Sequence, residues 1–171
     1  MIPSTPTDAV AQWWRQARPD LDTTPMGLFG RLRRLQVLAE LEATAVLTDA
    51  RLTSSELDVL VTIRHADQPM IARAVAALRG CSRAAMSNML AKLEKRGLVT
   101  RVPSPADRRA TLIHLTPHGA QLVDEIFPQR LALEAGLLSE IPQEQQEQII
   151  ESLDVLLNAM IRRSPLADSR I

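Results

Sequence analysis

The sequence predicts a mainly α chain with a small β-hairpin, arranged as a winged helix-turn-helix domain joined to a further helical region. Three observations point there. Apolar residues recur at helical spacing through most of the chain. That rhythm switches once, between residues 98 and 115, to the alternation of paired strands. Positive charge also gathers in one stretch: residues 79–109 hold 8 Lys/Arg against 2 Asp/Glu, while 1–78 hold 8 against 9 and 110–171 hold 4 against 9.

The 171 residues are enough for a real core, and 46% are apolar, too many for a disordered chain. Trp13, Trp14, Phe29 and Phe127 are the four aromatics, so the core must be aliphatic, which suits helix-on-helix packing. No apolar run approaches the roughly 20 residues of a membrane span. The start, MIPSTPTDAV, lacks a basic segment followed by an apolar one, so no secretory signal is expected. Cys81 stands alone and can form no internal disulfide; a reducing cytoplasm is the expected compartment.

Residues 6–17 read as a short amphipathic helix broken by Arg18-Pro19-Asp20. Thr24-Pro25 then pairs a capping residue with proline at the first helical position, opening a helix to about Asp49 with Leu28, Leu32, Leu35, Ala39 and Val46 on one face. Thr53-Ser54-Ser55-Glu56 is a capping box opening a helix that ends near His65. Met70–Leu78 reads as a short Ala-rich helix. Arg79-Gly80-Cys81-Ser82 is a tight turn, and Ser82 caps the next helix, about Ser82–Arg96, which Gly97 ends. Two helices about such a turn are the helix-turn-helix arrangement. Leu98–Val102 and Thr111–Leu115 alternate and form the hairpin, or wing. Thr116-Pro117 opens a long helix that Pro128 should kink or shift in register. Ile141-Pro142 starts a last helix with Ile149, Ile150, Leu153, Leu156, Leu157 and Met160 on one face; residues 164–171 are expected to fray. The resulting division is 1–50 for N-terminal helices, 51–116 for the reading lobe and 117–171 for C-terminal helices.

A zero formal net charge argues against nucleic acid, but counterion release depends on the charge at the contact. In a helix-turn-helix the second helix enters the major groove and its first turns face base edges. Those residues are Ser82, Arg83, Ala84, Ser87 and Asn88. Arg83 has the fork for guanine and Asn88 the amide for adenine; Ser82, Ser87 and Lys92 suit phosphates. Arg108 and Arg109 at the wing tip suit a narrow minor groove, with Asp107 orienting one of them. The other reading is a solvated polar helix and a solubilising loop, on a winged helix used for protein interaction without a ligand switch. His65, His114 and His118 lack metal-ligand spacing, and neither a Ser/His/Asp constellation nor a Gly-rich phosphate loop occurs, so no enzyme, metal or cofactor is expected. Cys81 reads either as a small buried hydrophobe or as a thiol activated between Arg79 and Arg83.

Leu52-Thr53-Ser54-Ser55-Glu56-Leu57-Asp58-Val59-Leu60, Leu93-Glu94-Lys95-Arg96-Gly97-Leu98-Val99, Asp107-Arg108-Arg109 and Leu115-Thr116-Pro117-His118-Gly119 resemble the MarR family in order and spacing. The resemblance, over about residues 25–163, implies a homodimer built from the first and last helices, reading a pseudo-palindromic double-stranded DNA operator, commonly as a repressor. Trp14 followed by Arg18–Met26 looks like the urate-responsive branch with its extra N-terminal helix. That branch implies ligand contacts at Trp14, Asp58 and Arg101, and a reader-helix arginine where this chain has Met89. The implied effector is a phenolic or purine-like anion. Trp14 as a packing anchor and Asp58 as a locally paired residue are the structural alternatives.

Overall fold

A computed structural model describes residues 6–66, 68–105 and 110–163. Two expectations lie outside them: the wing-tip roles of Asp107, Arg108 and Arg109, and the fraying of 164–171. The chain divides into two compact units, Met1–Thr44 and Ala45–Ile171.

The first unit holds α1 (Pro6–Ala17) and most of α2 (Thr24–Asp49). Asp8 on α1 pairs with Arg31 on α2 at 2.8 Å, and Ala11 is buried. Trp13 and Trp14 meet edge to face, centroids 5.8 Å apart, and both are exposed. In the connecting turn Arg18 forks onto Asp20 at 2.8 and 2.6 Å. The Thr24 amide donates to the Asp22 carboxylate, which holds that acid below its ordinary pKa. Thr24 is therefore the first helical residue and not the cap the sequence suggested; the side chain that accepts from its amide is Asp22.

In the second unit α2 closes on Ala50 and Arg51. Leu52 N–H donates to Leu47 C=O and Arg51 N–H to Thr48 C=O, with Arg51 left-handed at φ 54°. The same paired bonds end both helices of the helix-turn-helix, with Gly80 and Gly97 in the left-handed position at φ 61° and 69°. α3 (Ser54–Arg64) starts on the complete Thr53/Glu56 capping box. α4 is Ala72–Leu78 and α5 is Arg83–Lys95, capped by the Ser82 hydroxyl accepting from Ala85 N–H at 3.2 Å.

The sheet is where the sequence reading needs correction. Met70 and Ile71 do not start the Ala-rich helix. They form β1, antiparallel to β3 (Thr111–Leu115), opposite Ile113 and Leu112. Such pairing joins segments some forty residues apart and leaves no local periodicity to read. β2 is Val99–Pro103, and the strand order is β1-β3-β2. Leu98, expected in the strand, instead closes α5 through its amide bond to Leu93 C=O.

α6 (Pro117–Leu137) begins on Thr116, whose hydroxyl accepts from Gly119 N–H at 2.9 Å and donates to Gly97 C=O at 2.7 Å. It passes through Pro128 as one helix, so the proline ends nothing. α6 packs on α3, α4 on α5, and α5 on β2. Leu57, Leu60, Val75, Met86, Leu90, Leu93, Leu98 and Ile113 form the fully buried core. α7 (Gln143–Arg163) buries no residue at all. Among the described residues no helix is long and apolar enough to cross a membrane.

Candidate nucleic-acid interface

α5 has two faces set by its period. Met86, Leu90 and Leu93 are buried, at spacings of four and three. Ala84, Ser87, Asn88, Ala91 and Lys95 are exposed on the opposite side, with Arg83 and Lys92 flanking them. Every expected reader-helix residue is therefore solvent-facing, and all stand on one rigid, capped element. Met89 is half-buried, and its neighbour Leu90 is the one that enters the core.

The structure separates the basic cluster into two sets. Arg79 pairs with Asp58, Arg96 with Glu56 at 3.4 Å, and Arg101 with Glu94. Arg83, Lys92 and Lys95 make no ion pair among the described residues. Among the described residues of this stretch, the cations outside ion pairs thus lie on α5, where a phosphate backbone would meet them. The Glu94–Arg101 pair joins the reader helix to β2. Its hydrogen bonds hold the Glu94 carboxyl below the usual range and raise the Arg101 guanidinium above its own.

The three expected ligand contacts fare differently. Trp14 is exposed, against Trp13. Asp58 and Arg101 do not meet each other as partners: Arg101 is held by Glu94, and Asp58 by two arginines. One is Arg79; the other is Arg130 of α6, at 2.7 Å. Burial pulls the Arg130 pKa down, and its hydrogen bonds to Glu134 and Asp58 more than reverse this. Sequence reasoning missed Arg130, which lies 72 residues from Asp58 in a segment with no motif of its own. Cys81 is exposed, so it is not the buried hydrophobe of one sequence reading. Its turn closes through backbone bonds, and its side chain is not needed to fill the core.

The MarR family signature covers residues 52–110, from the α3 capping box to the foot of β3. The transcriptional regulator PecS of Dickeya dadantii is 31% identical over 140 residues, covering 80% of this chain and 84% of PecS. The chain belongs to the MarR family. It is a transcriptional regulator of winged-helix type, and solved MarR-family structures match its fold. The Staphylococcus aureus MepR–DNA complex superposes with a TM-score of 0.71 at 23% identity, covering 75% of this chain and 94% of MepR. CouR of Rhodococcus jostii RHA1, bound to p-coumaroyl-CoA, superposes at 0.64 with 25% identity, covering 73% and 87%. The family signature thus spans the whole helix-turn-helix and β2, the elements that carry the outward face of α5.

Proposed function

We propose that this MarR-family chain is a homodimeric, sequence-specific DNA-binding repressor. The observation that carries this is the composition of the outward face of α5. Arg83 and Asn88, the two side chains able to make paired hydrogen bonds to guanine and adenine, stand there beside Lys92 and Lys95. Arg108 and Arg109, in the sequence between β2 and β3, would add minor-groove contacts. Dimerisation is supported by α7. Ile149, Ile150, Leu153, Leu157, Met160 and Ile161 are each at least 42% exposed in the single chain, more apolar surface than a helix leaves to water without a partner. A twofold dimer would set two reading helices one DNA turn, about 34 Å, apart and so require a pseudo-palindromic site.

The second half of the proposal is release by a small anionic or aromatic effector. CouR, bound to p-coumaroyl-CoA, supports it by kinship. In this chain Asp58 and Arg101 are already paired, so an effector contacting them must exchange ion-pair partners.

The test is selection of binding fragments from genomic DNA, followed by affinity measurement across salt. Expected is a steep linear fall of log affinity with log salt, because several phosphates lose their counterions. Arg83→Ala and Asn88→Ala should relax sequence preference, whereas Lys92→Ala should weaken all sequences alike and flatten the salt slope. A salt-independent interaction, or no enrichment of any fragment, would remove the DNA-binding reading in favour of a protein-interaction module. Unchanged affinity across a panel of phenolic, purine and acyl anions would remove the effector.

A further inference from the structure

Asp58 stands in the middle of α3, and each of its carboxylate oxygens takes a different arginine. Oδ1 accepts from Arg130 Nη1 at 2.7 Å, and Oδ2 accepts from Arg79 Nη2. Arg130 also donates through Nε to Glu134 at 2.8 Å, so two cations and two anions close a neutral network. The group is partly withdrawn from water: the side chains of Arg130, Asp58 and Arg79 keep 19%, 26% and 37% of their exposure.

The positions of these residues give the network its reach. Arg79 is the C-cap of α4, three residues before the Ser82 that caps α5. The backbone bonds of that turn, Gly80 to Ala77 and Cys81 to Ala76, run back to α4, and the Ser82 hydroxyl runs forward to α5. Arg79 adds a side-chain bond from the turn to α3. Arg130 lies on α6, the helix leading to the C-terminal region proposed as the dimer contact. One rigid carboxylate therefore joins the turn that launches the reading helix to the helix that continues toward the dimer.

We propose that Asp58 and Arg130 are positioning residues for DNA reading, acting through Arg79 to fix the turn from which α5 departs. This rests on the DNA-binding reading above. The core of Leu57, Leu60 and Ile63 holds α3 in place without the network, which sits beside that core and constrains direction more than stability. Removing Arg130 leaves the half-buried Asp58 carboxylate held by Arg79 alone, with one oxygen short of its hydrogen bond, which distorts the geometry more than loss of an exposed pair.

The test uses the full chain and two readouts. In hydrogen exchange without DNA, Arg130→Gln should speed exchange at Ala85 and Met86, in the first turn of α5, by about threefold or more, with Leu60 and Leu93 unmoved. On fragments selected by the wild type, Arg130→Gln should bind about tenfold more weakly, a coupling of about 1.4 kcal/mol. Binding to unselected random-sequence DNA and the salt slope should stay the same, because Arg130 touches no phosphate. Arg130→Lys, which keeps a donor for Asp58, should recover much of the loss. The double variant Arg79→Gln/Arg130→Gln should lose no more than the worse single one. Should Arg130→Gln not fold, Asp58→Asn supplies the same readouts. Unmoved exchange at Ala85 and Met86, equal losses on selected and random DNA, or additive single losses would overturn the proposal. If the wild type enriches no DNA, the DNA-binding reading fails by itself, and the exchange measurement still decides the coupling.

Discussion

Gly119 offers a sharp test of how the wing is seated. It lies in the first turn of α6, is buried, and carries no side chain for a steric reason. A Cβ built there would stand 2.0 Å from the Leu98 carbonyl oxygen, 2.9 Å from its carbon and 3.2 Å from Leu115 Cδ2. Carbon–oxygen contacts ordinarily lie at about 3.3–3.6 Å, so Gly119→Ala must push the start of α6 away from the Leu98 backbone by more than about 1 Å. No rotamer change can relieve this. The Leu98 carbonyl also accepts from Thr116 N–H at 3.1 Å and from its hydroxyl at 3.3 Å, so the movement disturbs the cap of α6 too. Overpacking of this kind costs about 3 kcal/mol. Loss of the cap adds about 1 kcal/mol, and the helix preference of Ala over Gly returns about 1 kcal/mol. The net destabilisation is about 3 kcal/mol, a fall in Tm of roughly 6–12 °C for a chain of this size. Gly136→Ala is the control on the same helix. Nothing lies within 4 Å of its Cβ, so the substitution should be neutral or stabilising by up to about 1 kcal/mol. Urea and thermal unfolding followed by circular dichroism, at one protein concentration, measure both. A Gly119→Ala variant within about 0.5 kcal/mol of wild type would refute the close approach of α6 to the wing root.

Further outcomes follow from other residues. Arg51 is a non-glycine residue in the left-handed region at φ 54°, so Arg51→Gly should stabilise the chain by up to about 1 kcal/mol in urea unfolding; clear destabilisation would mean its side chain matters more than its backbone. Glu94 should titrate below the ordinary carboxylate range because Arg101 hydrogen-bonds its charged form. A carboxyl lowered on folding contributes stability above its unfolded pKa, and loses it as pH falls through the folded one. Arg101→Gln should therefore return the Glu94 resonance in an NMR titration to the ordinary range of about 4 and weaken acid tolerance; an unmoved Glu94 curve contradicts the pair. Leu157→Glu on α7 should convert the proposed dimer to monomer in sedimentation while leaving helix content nearly intact, and a variant that stays dimeric would place the interface elsewhere.

Local signals carried most of the fold. The Thr53/Glu56 box, the Ser82 and Thr116 caps, and the glycines at 80 and 97 each fix a helix boundary through bonds only three to five residues long, so the chain states them in its own order. β1 escaped because its partner is far along the sequence and two residues display no alternation. The face of α5 was legible for the same reason as the caps: burial of Met86, Leu90 and Leu93 dictates what points outward. The electrostatics were less so. Counting charges along residues 79–109 treated eight cations as equivalent, yet Arg79, Arg96 and Arg101 are engaged by acids on α3 or α5, and only folding brings most of them together. Asp58 drew notice as a ligand residue by kinship, whereas its arginine partners lie 21 and 72 residues away, in the helix-turn-helix turn and on α6, where no local pattern pairs them with it.

The order β1-β3-β2 bears on how the molecule behaves in a crowded solution. The middle strand, β3, has both of its hydrogen-bonding sides occupied. The exposed margins are a strand of two residues on one side and, on the other, a strand that carries Arg101 and ends in Pro103. Short, charged and proline-terminated margins are poor templates for another chain. The sheet can thus stand at the surface without recruiting neighbours into a growing stack of strands. Its ladder also closes below the connecting segment, where Ser104 N–H donates to Ala110 C=O at 2.9 Å. That bond lies one residue past the last ladder pair, Pro103 opposite Thr111, and so ties the open end of the β2–β3 ladder without adding a margin to which another strand could pair.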